Sequence, residues 1–204
     1  MTGSGEQYSG ALFFRLSLIG VIVISFLCFV TILAVTAAST GAAVEPKIVE
    51  QPEFSVIGIQ ARTSNAKEVK GGGAIPKQWD RFFKEGIADK IPNKVDSTIY
   101  AVYTNYASDY TGEYDFIVGM KVSSVPAVPP GMVVKKVPQG KYAVVASAKG
   151  PVAQVVPQAW QRIYTLDDNK QLGGARAYQA DFEVYDQRSQ NPQESQVDLY
   201  IGLK

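Results

Sequence analysis

The chain has 204 residues, 46% of them apolar and 19% charged. That is enough for one ordinary domain with a tail, and it matches neither a disordered chain nor one wholly embedded in lipid. Lys and Arg number 20 against 19 Asp and Glu, so the net charge is +1 and the clustered basic excess used to bind nucleic acid is missing. There is no histidine, which removes the usual general base, the imidazole metal ligand and every His-based triad. The one cysteine, Cys28, cannot form an intrachain disulfide or a thiolate metal site. No cofactor and no metal are expected.

Residues 1–15 read as a short N-terminal tail. Residues 16–38, LSLIGVIVISFLCFVTILAVTAA, carry no charge. The run is long enough to cross a hydrocarbon core as a helix, which takes roughly 20 residues. It exceeds the roughly 7–15 residues of a signal-peptide core, so a transmembrane helix or uncleaved signal anchor is expected. A cleaved signal peptide is the alternative, with small residues at Ala34, Thr36 and Ala38. Arg15 just before the run favours an N-terminus inside and a soluble domain outside the cytoplasm, or a secreted or periplasmic domain after cleavage. Residues 39–51 read as a linker, small and polar with no sustained period.

The remainder, residues 52–204, repeats itself. Ile75-Pro76-Lys77-Gln78-Trp79-Asp80-Arg81-Phe82-Phe83 matches Val156-Pro157-Gln158-Ala159-Trp160-Gln161-Arg162-Ile163-Tyr164. Tyr100-Ala101-Val102-Tyr103 matches Phe182-Glu183-Val184-Tyr185, and Asp115 to Lys121 matches Asp198 to Lys204. Three collinear matches at a nearly constant offset mark an internal duplication. Repeat 1 spans 52–124 and repeat 2 spans 131–204, joined by the proline-rich segment Val125 to Gly131. In each, an apolar strand leads to a helix with proline near its first turn, and two strands close the unit. Trp79, Phe82 and Phe83 share one helix face by their spacing, as do Trp160, Ile163 and Tyr164. Asp109-Tyr110-Thr111-Gly112 and Gln190-Asn191-Pro192 read as turns. The expected fold is α+β: two strand-helix-strand-strand repeats related by a pseudo-twofold, an antiparallel sheet with helices on one face, preceded by one transmembrane helix.

A duplicated fold repeats its structural residues, so a departure from the repeat is informative. Ala101 in the first half corresponds to Glu183 in the second. Side chains alternate across a strand. Phe182 and Val184 are expected to face the helices. Glu183, Tyr185, Ala101 and Tyr103 are expected to face away from them, into a cleft shared by the two halves. A carboxylate among aromatic faces suits a cation, because Coulomb attraction adds to roughly 0.5–2 kcal/mol of cation–π attraction per ring. The plainer alternative is a solvated Glu183 on an exposed sheet face. Trp79 and Trp160 read as core residues whose rings can also wall a pocket. Gly71-Gly72-Gly73 lacks the Lys-Ser/Thr of a phosphate loop and reads as an ordinary loop. Asp115 and Asp198 repeat, which makes them structural, and Asp167-Asp168 reads as a turn or helix-end pair with no second set of metal ligands.

The segments Tyr100 to Tyr106, Tyr114 to Gly119, Pro138 to Tyr142, Ala159 to Tyr164 and Asp181 to Tyr185, in that order and spacing, resemble the GyrI-like small-molecule-binding domain, also called the AraC-type effector-binding domain. The resemblance covers about Pro52 to Lys204. It implies two repeats with a ligand cleft between them, in which the acid at the Phe-Glu-x-Tyr position, here Glu183, contacts cationic and often polyaromatic ligands. Many relatives carry a DNA-binding helix-turn-helix ahead of this domain. This sequence has an apolar span there, so no nucleic acid partner is expected. Some stand-alone relatives are described as hydrolases of reactive cyclopropane-bearing toxins. The expected function is thus a membrane-tethered module binding a cationic or polyaromatic small molecule through Glu183, Tyr185, Tyr103, Ala101, Trp160 and Trp79. A hydrolase using Glu183 and a structural or partner-binding module are the alternatives.

Overall fold

The computed structural model describes residues 45–70 and 73–204. The tail at 1–15, the expected span at 16–38, most of the expected linker, and Gly71 and Gly72 lie outside the described residues. Among the described residues no helix is long and apolar enough to cross a membrane.

Eight strands form one antiparallel sheet. They are β1 (Lys47–Gln51), β2 (Phe54–Ser64), β3 (Lys94–Thr104), β4 (Glu113–Val122), β5 (Val133–Val137), β6 (Gly140–Ala146), β7 (Arg176–Tyr185) and β8 (Asp198–Leu203). Their order is β1-β6-β8-β7-β3-β4-β2-β5. Exchanging the strands of the first half with their counterparts in the second reproduces this order read backwards. The pseudo-twofold therefore passes between β3 and β7. Each half also places its first strand in the other half: β1 pairs with β6, and β5 pairs with β2. Residues 47–51, expected to close a linker, are thus part of the fold. KIVEQ is short, largely exposed and without apolar alternation, and its pairing with β6 identifies it as an edge strand.

Among the described residues four α-helices accompany the sheet: α1 (Asn65–Val69), α2 (Ala74–Lys84), α3 (Ile87–Lys90) and α4 (Val152–Asp168). The Glu68 carboxylate accepts from the backbone N–H groups of Ala74 and Ile75, satisfying orphan donors of the first turn of α2. Gly86, at φ +58°, makes the left-handed step from α2 into α3. α4 starts a turn earlier than the sequence pattern indicates, at Val152, so Pro157 lies inside the helix and cannot bond the Ala153 carbonyl. Asp109 and Gly112 close the expected turn, with Thr111 N–H donating to the Asp109 side chain. The repeated aspartates are structural, Asp115 pairing with Arg62 and Asp198 with Arg188.

Both faces of the sheet carry a buried apolar cluster, and the face that the helices cover reverses one expectation. Ala101, Tyr103 and Tyr185 pack with Phe82 and Ile87, on the helix side. Phe182 and Val184 pack on the opposite face with Phe54, Val56, Val102 and Tyr142. There Phe182 stacks on Tyr200 with ring centroids 4.5 Å apart and meets Phe54 edge-on at 5.3 Å. Glu183 and Tyr185 therefore face the helices instead of turning away from them. Apolar alternation reveals which residues share a face. It does not say which face the helices cover when both faces carry apolar clusters.

Candidate functional site

The central strands bring the two halves of the repeat into direct register. Ala101 of β3 pairs with Glu183 of β7, the two positions matched in the duplication. The pseudo-twofold passes through that pair. A Glu at both positions would set two buried carboxylates side by side on neighbouring strands, about 5 Å apart at Cα, where like charges repel. The axis accommodates one acid, and the Ala/Glu difference is how the duplicated fold supplies it.

The remaining donors arrive nearly symmetrically. Tyr103 and Tyr185 are repeat counterparts, and both hydroxyls donate to Glu183, to Oε1 at 2.8 Å and to Oε2 at 2.7 Å. Trp160 of α4 donates through Nε1 to Oε1 at 2.6 Å. Its counterpart Trp79 of α2 packs edge-on against the Tyr185 ring with centroids 4.9 Å apart. Tyr103 meets Trp160 in the same way at 5.0 Å. Glu183 is 1% exposed. Burial pushes its carboxyl pKa up, and the bonds from Trp160, Tyr185 and Tyr103 pull it back down. Burial and the neighbouring carboxylate raise both phenols well above their ordinary range, so each stays a hydrogen-bond donor at any physiological pH.

These groups line a cavity of about 380 Å³ between α2, α4 and the sheet. Trp79 and Trp160 both form its walls, in addition to packing against the core. Of the expected site residues Glu183, Tyr185, Tyr103, Trp160 and Trp79 meet at one cavity. Ala101 sits beneath it, fully buried, and does not reach the wall. The cavity extends past the expected residues to Tyr106, Tyr110, Tyr114, Tyr164 and Arg176. The tyrosines carry a signal in the sequence, since Tyr103, Tyr106, Tyr110 and Tyr114 crowd one hairpin. Arg176 carries none, because it enters through an irregularity in β7, where the register with β8 shifts between Arg176 and Asp181. Among the described residues no group of three acidic, Cys or His side chains could hold a metal.

The model of the integron-associated effector-binding protein family, Cass2, matches residues 47–203. The protein YobU of Bacillus subtilis (strain 168) is 33% identical over 148 residues, covering 72% of this chain and 90% of that protein. The transcriptional regulator BrlR of Pseudomonas aeruginosa is 36% identical over 165 residues, covering 77% of this chain and 54% of BrlR. Among solved structures, an integron cassette protein from the mobile metagenome of Vibrio cholerae is 30% identical with a TM-score of 0.64, covering 79% of this chain and 97% of that one. SAV2435, solved with tetraphenylphosphonium, has a TM-score of 0.64 at 15% identity, covering 78% and 94%. The match runs through both repeats and the exchanged edge strand β1, and by it the chain belongs to the Cass2 family of GyrI-like effector-binding domains.

Proposed function

We propose that the chain binds a lipophilic aromatic cation in the cavity over Glu183. One observation carries this reading: a fully buried carboxylate whose three hydrogen-bond donors are all neutral. Those donors satisfy the oxygens but leave the negative charge in a low-dielectric site, where a charge without a counter-charge is costly. A cation in the cavity supplies the counter-charge. The rings of Trp79, Trp160, Tyr103 and Tyr185 add roughly 0.5–2 kcal/mol each where a face is presented to it. The same fold in SAV2435 takes a compound of this kind, tetraphenylphosphonium.

Calorimetric titration of the purified chain with tetraphenylphosphonium tests the reading. Saturable binding is expected, with Glu183→Gln weaker by about tenfold or more. Equal affinity in the two proteins removes Glu183 from the site.

The uncharged run 16–38 supports tethering of this module to a membrane, which places its encounter with lipophilic ligands at or beyond the bilayer surface. Retention of the full chain in the membrane pellet after alkaline carbonate washing is the expected result. Release into the supernatant counts against an anchor.

A further inference from the structure

The cavity has a second polar feature that binding of a simple cation leaves unused. Arg176 is 3% exposed and lines the same cavity as Glu183. Its Nη2 donates to Asp181 Oδ2 at 2.6 Å, and one face of its guanidinium lies over the Tyr178 ring at 4.5 Å. Its Nε and Nη1 are buried with no acceptor among the described residues. Asp181 also accepts from Tyr106 Oη at 2.8 Å and from the backbone N–H of Gly202 at 2.8 Å, and neither Nε nor Nη1 of Arg176 bonds to it. Buried donors on a charged group are rarely left unmade in a native site.

We propose that Arg176 is a second ligand subsite, and that the ligand is a cation carrying a neutral hydrogen-bond acceptor, such as a ketone or amide carbonyl, on a short arm. The inference rests on the reading of Glu183 as the cation site. Charge decides the kind of acceptor. Asp181 already neutralises Arg176 across the ion pair, and Glu183 and Glu68, which both line the cavity and have only neutral donors, leave it with uncancelled negative charge. A carboxylate on the ligand would add a further negative charge beside these acids. A carbonyl accepts the N–H bonds without that repulsion. Spacing sets the arm. Asp181 and Glu183 lie two residues apart on one face of β7, about 7 Å, so the cation and the acceptor sit on the order of that distance apart. Neither the family match nor the duplication points to Arg176.

Two phosphonium salts of equal shape test it on the purified full chain: (4-oxopentyl)triphenylphosphonium, with a ketone oxygen on the arm, and its 4-methylpentyl analogue, with a methyl in its place. Calorimetry is expected to show the ketone binding about fivefold tighter or better. In Arg176→Met/Asp181→Asn, which removes the pair without leaving a lone buried charge, that preference is expected to disappear. Equal affinity of the two salts for the native chain overturns the Arg176 subsite and leaves the cation site standing. No binding of either salt overturns both. The comparison on the native chain decides the matter even if the double variant does not fold.

Discussion

At the scale of single residues, Glu183 makes ligand binding and stability respond to pH in opposite directions. Burial raises its carboxyl above the ordinary 4.5. The folded chain thus holds this proton at a pH where the unfolded chain has released it, so stability from this group falls as pH rises from the unfolded value through the folded one. Cation binding needs the ionised form, so affinity for tetraphenylphosphonium is expected to rise across the same window and level off above it. Titration at a series of pH values checks this, and Glu183→Gln is expected to flatten the profile; an unchanged profile in the variant assigns the proton to another group. Ala101 gives a second prediction. Ala101→Glu sets a second carboxylate opposite Glu183 in a site with no room for its charge. It is expected to lose about 3 kcal/mol or more against urea at neutral pH. Ala101→Gln carries the same bulk without the charge, so it should be the more stable of the two at neutral pH, and the gap should close in mild acid. A gap independent of pH would mean that bulk, not charge, keeps Ala at the axis. Glu183 was legible in the sequence because duplication supplied its own control, the Ala101 twin. Its orientation was not legible, because Phe182 and Val184 are as apolar as a helix-facing pair yet pack on the other side, Phe182 buried and Val184 half-buried.

At the scale of elements, β2 and β4 approach tightly at a glycine pair. Gly58 pairs with Gly119, and a Cβ on Gly58 would run into the backbone oxygen of Val118, as one on Gly119 would into that of Ile57. Backbone cannot move aside as a flexible side chain can. Gly119→Ala is therefore expected to cost on the order of 3 kcal/mol, read as a lower urea midpoint with native ligand affinity in the protein that remains folded. A midpoint within error of the native one would show that the strands can separate there. The helices were readable from Trp79, Phe82 and Trp160, Ile163, whose spacing marks one face. Phe83 belongs to that pattern yet is 64% exposed, stacked on Trp79 at the edge of the face. β1 was hidden because an exposed edge strand leaves almost no hydrophobic pattern of its own.

At the scale of the whole molecule, strand exchange ties the two repeats into one unit. Among the described residues β1 pairs with β6 of the second half alone, and β5 is paired with β2 of the first, so neither repeat completes its own sheet. The site obeys the same logic. Glu183 sits on the second half, yet Tyr103 and Trp79 come from the first, and helices from both halves wall the cavity over the β3–β7 seam. The repeat announced two equivalent halves and the order of their strands. It did not announce the exchange, because pairing partners are a property of three-dimensional closure and leave no mark in a self-match. Each half is also too small to bury a comfortable core alone. Unfolding is therefore expected to be one cooperative transition. Tryptophan fluorescence, which reports Trp79 and Trp160 in separate halves, should trace the same urea curve as far-UV circular dichroism. Two separated transitions would show that the repeats fold independently. Removing residues 47–51 tests the exchange directly: the deletion strips the partner from β6 in the second half, so it should lower the midpoint of the whole curve, including the part reported by Trp79 in the first half. Loss confined to one half would mean that the strand merely borders the sheet and does not couple the repeats.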